Sequence, residues 1–416
     1  MKTENIKDLK NKDNSLENIR NYERAIVLTT CFDEEIISLA KTAKSIVVEV
    51  FIQKIKEINP ATYFGIGKLY EILEFIKYNE IDCAIFDGDL TPSQTINISE
   101  ILGVKVIDRT TLILDIFALN AVTGEGKLQV ELAQLKRLYP RLKGKGASLS
   151  RLGGGIGTRG PGESKLETDR RHIKTRILYL EKALDKLSKT RDLQINRRKK
   201  DGVKSVALVG YTNSGKTTLL SKLTDCDLHG ENKLFATLDT KGVNLDLGDF
   251  NVIIFDTVGF IKNIPTTLIE AFKSTLSVAL EADLLLNVCD LTQDFNEQIN
   301  TTVKVLDEIG CKSKILTVFN KCDESTFYPP INTVVISAKT GTGLDDLKSK
   351  IKEILYEDYL KLKFNLPYDK IDEYLKRKKY CEKSTESYFD DVVLAEVTIK
   401  RKNASKFDDF IKYLKK

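Results

Sequence analysis

Four short apolar runs punctuate the first 110 residues: AIVLTT at 25–30, SIVVEVF at 45–51, CAIFD at 83–87 and VKVID at 104–108. Between the later ones, KLYEILEFIKYN and SQTINISEILG carry the spacing of helices that bury one face. Strands alternating with helices predict a parallel sheet covered on both sides. Asp87 and Asp89 stand in FDGDL, at the end of one strand. A polar loop turning into the next helix accounts for them, so no metal or catalytic role is assigned there.

The pattern then changes. Leu128, Leu132, Leu135, Leu138 and Leu142 form one stripe, and Ile173, Ile177, Leu180, Leu184 and Leu187 another. Spacings of four and three mark a seam along which two helices pack lengthwise, so an antiparallel helical hairpin is expected. Pro140 is expected to end or kink its first helix. The tip, residues 144–162, holds 8 of the chain's 24 glycines beside Arg151 and Arg159. Glycine lets a backbone approach another surface closely, which suits a contact better than a connector. Gly155, Gly157 and Gly160 match a dinucleotide fingerprint in spacing, but no strand precedes them and their flanks are helical.

Charge sharpens the picture of the hairpin. The net charge is +5, yet residues 136–200 alone carry 20 Lys or Arg against 6 Asp or Glu, a local balance of +14 that leaves −9 elsewhere. A split of this kind points to a polyanion meeting one part of the molecule.

Composition mostly excludes. At 42% hydrophobic and 30% charged, the chain falls outside the disordered and collagen-like classes. Seven cysteines without a C-x-x-C argue against zinc and a disulfide framework, and His172 and His229 are too few for a histidine metal site. The N-terminus lacks the apolar region of a signal peptide, and no apolar run nears the ~18 residues of a membrane span, so a cytoplasmic protein is expected.

The strongest chemistry begins at VKSVALVGYTNSGKTTLLSKL, where an apolar strand leads into Gly210, Tyr211, Thr212, Asn213, Ser214, Gly215, Lys216 and Thr217 and then into a helix. This is G-x-x-x-x-G-K-[ST] in the strand–loop–helix context it requires. Its backbone N–H groups are expected to surround phosphates, with Lys216 on the β and γ groups and Thr217 on Mg2+. A second strand, NVIIFDTVGF, ends in Asp256, Thr257, Val258 and Gly259. Asp256 can fix a water on Mg2+, and the Gly259 amide can meet the γ phosphate. A third strand ends in Asn320, Lys321, Cys322 and Asp323, and a fourth carries Ser337, Ala338 and Lys339. The Asp323 carboxylate accepts from the N1–H and exocyclic amine of guanine, a donor pair that adenine lacks, and the Ala338 N–H can meet guanine O6. Guanine nucleotides, not adenine ones, are the expected ligands. Between the first two motifs, LFATLDT offers both Thr237 and Thr240 to complete the Mg2+ shell, and spacing does not choose between them.

From about residue 64 to 358 the chain resembles one family, the HflX GTPases. The residues that carry the resemblance are DGDLTPSQ, GVKVIDRTTLILDIFA, GKLQVELAQL, SRLGGGIGTRGPGESKLETDRR, LFATLD and DTVGFIKNIP. It implies an α/β N-terminal domain with a long helical hairpin and a P-loop G domain with a mainly parallel sheet, while the lysine-rich last stretch, which includes VVLAEVTIK, reads as a small α+β C-terminal domain outside the resemblance. The corresponding ranges are 1–122, 123–200, 201–358 and 359–416. It implies GTP hydrolysis with Mg2+, and binding to the ribosome, chiefly the large subunit and its rRNA, with splitting or rescue of stalled particles. The alternative is a GTP-gated rRNA-binding or subunit-assembly factor. A monomer with no DNA partner is expected, partly ribosome-associated.

On these positions the family pattern selects Thr237 as the switch I ligand and Phe235, Ala236, Thr237, Leu238 and Asp239 as a stretch contacting nucleotide. Arg151, Arg159, Arg170 and Arg171 in and beside the tip are the expected RNA contacts. Two departures stand out: Thr240 replaces the usual proline, and Lys262 stands where arginine is commoner. Lys216, Thr237, Gly259 and Asn213 are the expected catalytic groups. Asn213 leaves two readings open, a seat for K+ beside the phosphates, as in GTPases that carry asparagine there, or a tie within the loop. Phe260 follows Gly259 where small GTPases have glutamine, so slow intrinsic turnover is expected.

Overall fold

The computed structural model describes residues 22–150, 161–226, 234–235, 241–248, 250–262, 264–265, 268, 273–325, 329–331 and 333–414. Among them no helix is long and apolar enough to cross a membrane.

The first unit runs β1 (Glu23–Thr29), α1 (Glu34–Thr42), β2 (Ser45–Ile52), α2 (Ile66–Tyr78), β3 (Cys83–Phe86), α3 (Pro92–Leu102), β4 (Lys105–Asp108) and α4 (Arg109–Asn120). The strands lie in the order β2-β1-β3-β4, all parallel. Burial of all four residues of β3 explains why CAIF reads as continuous rather than alternating apolar sequence. Ile26, Leu28 and Phe86 face α2 and α3, whereas Ala25, Val27 and Ile85 face α1 and α4. Thr91 caps α3 in a reciprocal box with Gln94, and Gly103 at φ 71 ends it. The acidic residues at the strand ends form ion pairs: Asp87 accepts from Arg109 at 2.7 Å, and Asp108, wholly enclosed, accepts from Arg137 and from Arg141 at 3.2 Å.

The hairpin follows without a break, as α5 (Gly124–Ser150) and α6 (Pro161–Lys200). Its helices are antiparallel, since Arg191 pairs with Glu125, Lys136 with Glu181 at 2.8 Å and Arg176 with Glu131 at 2.7 Å. The seam is narrower than its leucines suggest. Leu180 is buried and Leu128, Leu132 and Leu135 are half-buried, but Leu138 and Leu187 are exposed. Val130 and Ala133 instead join the core beneath α4. The expected break at Pro140 is corrected, because α5 passes straight through it. A proline removes one backbone hydrogen bond, and here Arg137 and Arg141 on either side are anchored to the enclosed Asp108.

A six-stranded sheet comes next. Its elements are β5 (Lys204–Val209), α7 (Lys216–Thr224), β6 (Lys241–Asp246), β7 (Asn251–Asp256), α8 (Lys273–Glu281), β8 (Leu284–Asp290), α9 (Phe295–Glu308), β9 (Lys314–Asn320), β10 (Val334–Val335) and α10 (Leu344–Leu355). The order is β10-β9-β8-β5-β7-β6, parallel except for β6 on β7. β8 is buried along its whole length, so the sheet has a covered centre with strand ends gathered on one edge.

The last unit is an antiparallel sheet of β11 (Tyr359–Pro367), β12 (Cys381–Tyr388) and β13 (Val392–Lys400), ordered β11-β13-β12, with α11 (Ile371–Arg377) between its first two strands. Phe407 and Phe410, from a 3-10 helix over Arg401–Tyr413, close its core on Phe364. It meets the preceding unit through Phe250, whose ring stacks on Tyr356 at 3.6 Å and stands edge-on to Tyr359 of β11 at 6.1 Å.

Asp108 joins β4, α4 and the hairpin, so Asp108→Asn tests that joint. The amide keeps the cap on the Thr111 N–H but forfeits the charge that two arginines share. A loss of about 2 kcal/mol is expected in urea unfolding. A change below about 0.5 kcal/mol would mean that water holds those arginines as well as Asp108 does.

Candidate functional site

The site lies at the C-terminal ends of β5, β7, β8 and β9, where open α/β sheets hold ligands. β5 delivers the chain into residues 210–215 at a tight angle. Gly210 has φ 136, and a Cβ there would stand 2.3 Å from the Val288 carbonyl oxygen, so only glycine lets the loop lie this close to β8. Gly215, at φ 90, opens α7 without a side-chain cap, leaving the amides of its first turn to an anion. The Ser214 and Thr212 hydroxyls are enclosed in the same loop and have no hydrogen-bond partner among the described residues. These features fit a phosphate chain.

Lys216 is enclosed and its ammonium donates to the carbonyls of Gly210 at 3.0 Å and Tyr211 at 2.7 Å. Thr217 donates to Asp256 at 2.7 Å across from β7, so the two expected Mg2+ groups meet. Thr257 turns away and donates to the Leu208 carbonyl at 2.6 Å, a structural bond between β7 and β5. Val258 is buried in the core shared with the first unit.

Residues 256–262 lie directly against the phosphate loop. The Phe260 N–H donates to Gly210 at 3.0 Å, and the Thr212 N–H donates to the Phe260 carbonyl at 2.7 Å. A Cβ on Gly259 would come within 2.8 Å of Thr212 and 3.0 Å of the Lys216 ammonium. Phe260 itself is buried among Leu276, Ala279 and Val305.

The base-side motifs are joined to the loop by one side chain. Asn320 donates to the Ser214 carbonyl at 2.9 Å and accepts from the Ala338 N–H at 2.9 Å. Lys321, at φ 65, pairs with Asp290 at 2.6 Å. A hydrogen bond from Ser337 holds the exposed Asp323 carboxyl below its ordinary range, so it stays an ionised acceptor. Cys322 is half-buried, its N–H donating to the Ile336 carbonyl at 3.2 Å, and Lys339 reaches outward to Glu324.

Some expected residues are elsewhere. Asn213, at φ 59, is exposed, and its side chain makes no hydrogen bond among the described residues. Ala236, Thr237, Leu238, Asp239 and Thr240, and Arg151 and Arg159, lie outside the described residues. Phe235 is buried at φ 57, its ring 4.6 Å from Phe117 of α4. Arg170 sits over the Tyr139 ring at 5.6 Å, within the hairpin, and Arg171 is exposed.

Sequence reasoning missed the contribution of the first unit. Glu35, near the start of α1, accepts from the Tyr211 hydroxyl and from Arg109, while the Lys262 N–H donates to the Tyr211 hydroxyl at 2.9 Å. Burial pushes Glu35 above its ordinary range, with Arg109 opposing, and burial with Glu35 keeps Tyr211 protonated. No local pattern marks Glu35, since these contacts span up to 227 positions. Tyr211, a large side chain at a free position of the loop motif, was the one available signal.

Three family models match successive stretches: "GTP-binding GTPase N-terminal" over 33–118, "GTP-binding GTPase Middle Region" over 120–198 and "50S ribosome-binding GTPase" over 205–321. GTPase HflX of Caldanaerobacter subterraneus subsp. tengcongensis is 48% identical over 367 residues, covering 85% of this chain and 86% of that one. The chain belongs to the HflX GTPase family. GTPase HflX of Escherichia coli K12 is 40% identical over 349 residues, covering 80% and 81%. Among solved structures, a GTP-binding protein of Sulfolobus solfataricus in complex with GDP is 30% identical, covers 80% of this chain and 99% of its own, and superimposes with a TM-score of 0.43. As a member of this family, the chain binds GTP and is a GTP hydrolase.

The surroundings of Lys216 give a measurable signature. Burial pulls its ammonium down to about 8, with Asp256 pulling the other way. The folded chain thus gives up this proton more readily than the unfolded one. Lys216 therefore opposes folding below about pH 8, and the opposition fades as pH rises through 8 toward the ordinary lysine value. A polyphosphate against the ammonium restores the proton. Nucleotide binding is expected to take up about half a proton per site at pH 8 and about a tenth at pH 7. Calorimetry in buffers of different ionisation heat measures this, and uptake that ignores pH would contradict it.

Proposed function

We propose that this HflX GTPase binds the ribosome through its large subunit, presents the basic hairpin to rRNA in its GTP state and separates stalled particles. The observation that carries this reading is continuity. The phosphate loop, residues 256–262 and the middle of the first helix of a long basic hairpin are joined by direct contacts through α4 and β4. The family description "50S ribosome-binding GTPase" supports the same partner.

Hydrolysis needs an aligned water and compensation for charge on the transferring phosphoryl group. Lys216 is enclosed, so its charge acts in a dry setting where it counts most once a phosphate faces it. The Gly259 amide is held against the loop and serves the γ phosphate. Thr217 and Thr237, and Asp256 through a water, would hold Mg2+, which would neutralise charge on the phosphate oxygens. Asn320 fixes the Ala338 amide and leaves Asp323 for the guanine edge. Aligning the water is the weak point. Phe260 is apolar and turned into the core, so no side chain at that position orients the nucleophile, and intrinsic turnover is slow. Contact with the ribosome supplies the acceleration that the site alone lacks. Arg171, exposed on α6, and Arg151 and Arg159 of the tip meet RNA phosphates.

Single-turnover GTP hydrolysis with isolated large subunits is expected to run on the order of 10³ faster than without them. Sucrose gradients of 70S particles with protein and GTP should show separated subunits. Intact 70S particles together with bound free large subunits would instead favour an assembly factor.

Guanine selection is testable at one residue. Asp323→Asn replaces an acceptor by an amide that also donates, so GTP affinity should fall by about 10² and affinity for xanthosine triphosphate should rise. Unchanged selectivity would remove Asp323 from the base contact.

The outward Asn213 favours the K+ reading over a tie within the loop. Hydrolysis is expected to be faster in KCl than in NaCl at equal ionic strength. Equal rates would remove K+ from the site.

A further inference from the structure

The contact between the first unit and the phosphate loop is built from buried charge, which is costly unless every member is paired. Arg109, the first residue of α4, is 6% exposed. Its guanidinium donates to Asp87 at 2.7 Å and to Glu35, and reaches the Lys262 carbonyl at 3.3 Å. The other Glu35 oxygen accepts from the Tyr211 hydroxyl and lies 3.4 Å from the Lys262 N–H. That N–H also donates to the Tyr211 hydroxyl at 2.9 Å. Both backbone groups of residue 262 are thereby held by three side chains, two of them from outside the nucleotide-binding sheet.

Residue 262 is three positions from Gly259, and Phe260 between them is bonded to Gly210 and Thr212. Ile261 is fully buried in the core that α4 shares with this segment. The segment has little freedom left once its two ends are fixed. At the far end of α4, Asn120 donates to the Phe235 carbonyl at 2.8 Å, so one helix touches the chain on both sides of the phosphate site.

We infer that Glu35 and Arg109, acting through Tyr211 and the backbone of Lys262, are positioning residues for GTP hydrolysis that hold the Gly259 amide against the phosphate loop. They touch no phosphate. They reduce the reorganisation left to the catalytic step, which is where a preorganised donor contributes. The inference rests on the reading of Gly259 as the γ-phosphate contact.

The test uses the full chain. Tyr211→Phe removes one oxygen and leaves the loop backbone intact, while Glu35→Gln removes the charge and keeps the shape. In single-turnover hydrolysis each is expected to lower the rate by about fivefold or more, with GTP affinity within about twofold of the parent. The double variant should fall no further than the slower single one, because both act along one path. A merely structural role would lower the melting temperature and leave the rate at saturating GTP alone. An unchanged or raised rate in Tyr211→Phe overturns the inference. Gly259→Ala separates the two levels. If it abolishes hydrolysis while the Tyr211 and Glu35 variants have no effect, only the clasp fails. If it leaves hydrolysis intact, the reading of Gly259 itself fails.

Discussion

The crossing of residues 210–212 with Phe260 is the joint on which the rest of the molecule depends. Two backbone hydrogen bonds make it, and they are possible because Gly210 brings the chain against β8 closer than any side chain would permit. With this joint closed, Thr217 meets Asp256 and Gly259 lies against Lys216. Residues that depart from the same joint in the other direction run straight into the first unit. The nucleotide site and the N-terminal sheet thus share a boundary rather than a linker.

That boundary explains a peculiarity of the N-terminal sheet. Parallel sheets hold ligands at the C-terminal ends of their strands. Here those ends are occupied by Asp87, Asp89 and Asp108, paired with Arg109, Arg137 and Arg141, and the space beyond them is taken by Tyr211 and Lys262. The sheet uses its binding edge to hold the neighbouring domain and the first helix of the hairpin partway along its length.

The nucleotide motifs were legible because each needs particular residues at fixed separations, and a strand or helix beside them can be recognised from its own apolar pattern. The parallel N-terminal sheet was legible for the same reason. What escaped were properties set by tertiary neighbours. Pro140 reads as a helix terminus in isolation, but the arginines flanking it are fixed by a carboxylate outside its own helix. Leu138 and Leu187 look like seam positions, yet both are exposed while Val130 and Ala133 turn to another core. Glu35 gave no sign at all. A glutamate in the first turn of a helix is ordinary on dipole grounds, and only its neighbours distant in sequence give it a second use.

The length of α6 has a mechanical consequence. Forty residues of helix extend about 60 Å, and its companion α5 is continuous with the core beneath α4. α5 is tied to Asp108 as far along as Arg141, so only its last nine residues, about 14 Å of helix, extend beyond that anchor. An arm braced in this way carries a shift of Asp108 to its far end with little loss, because the helix beyond the anchor is short.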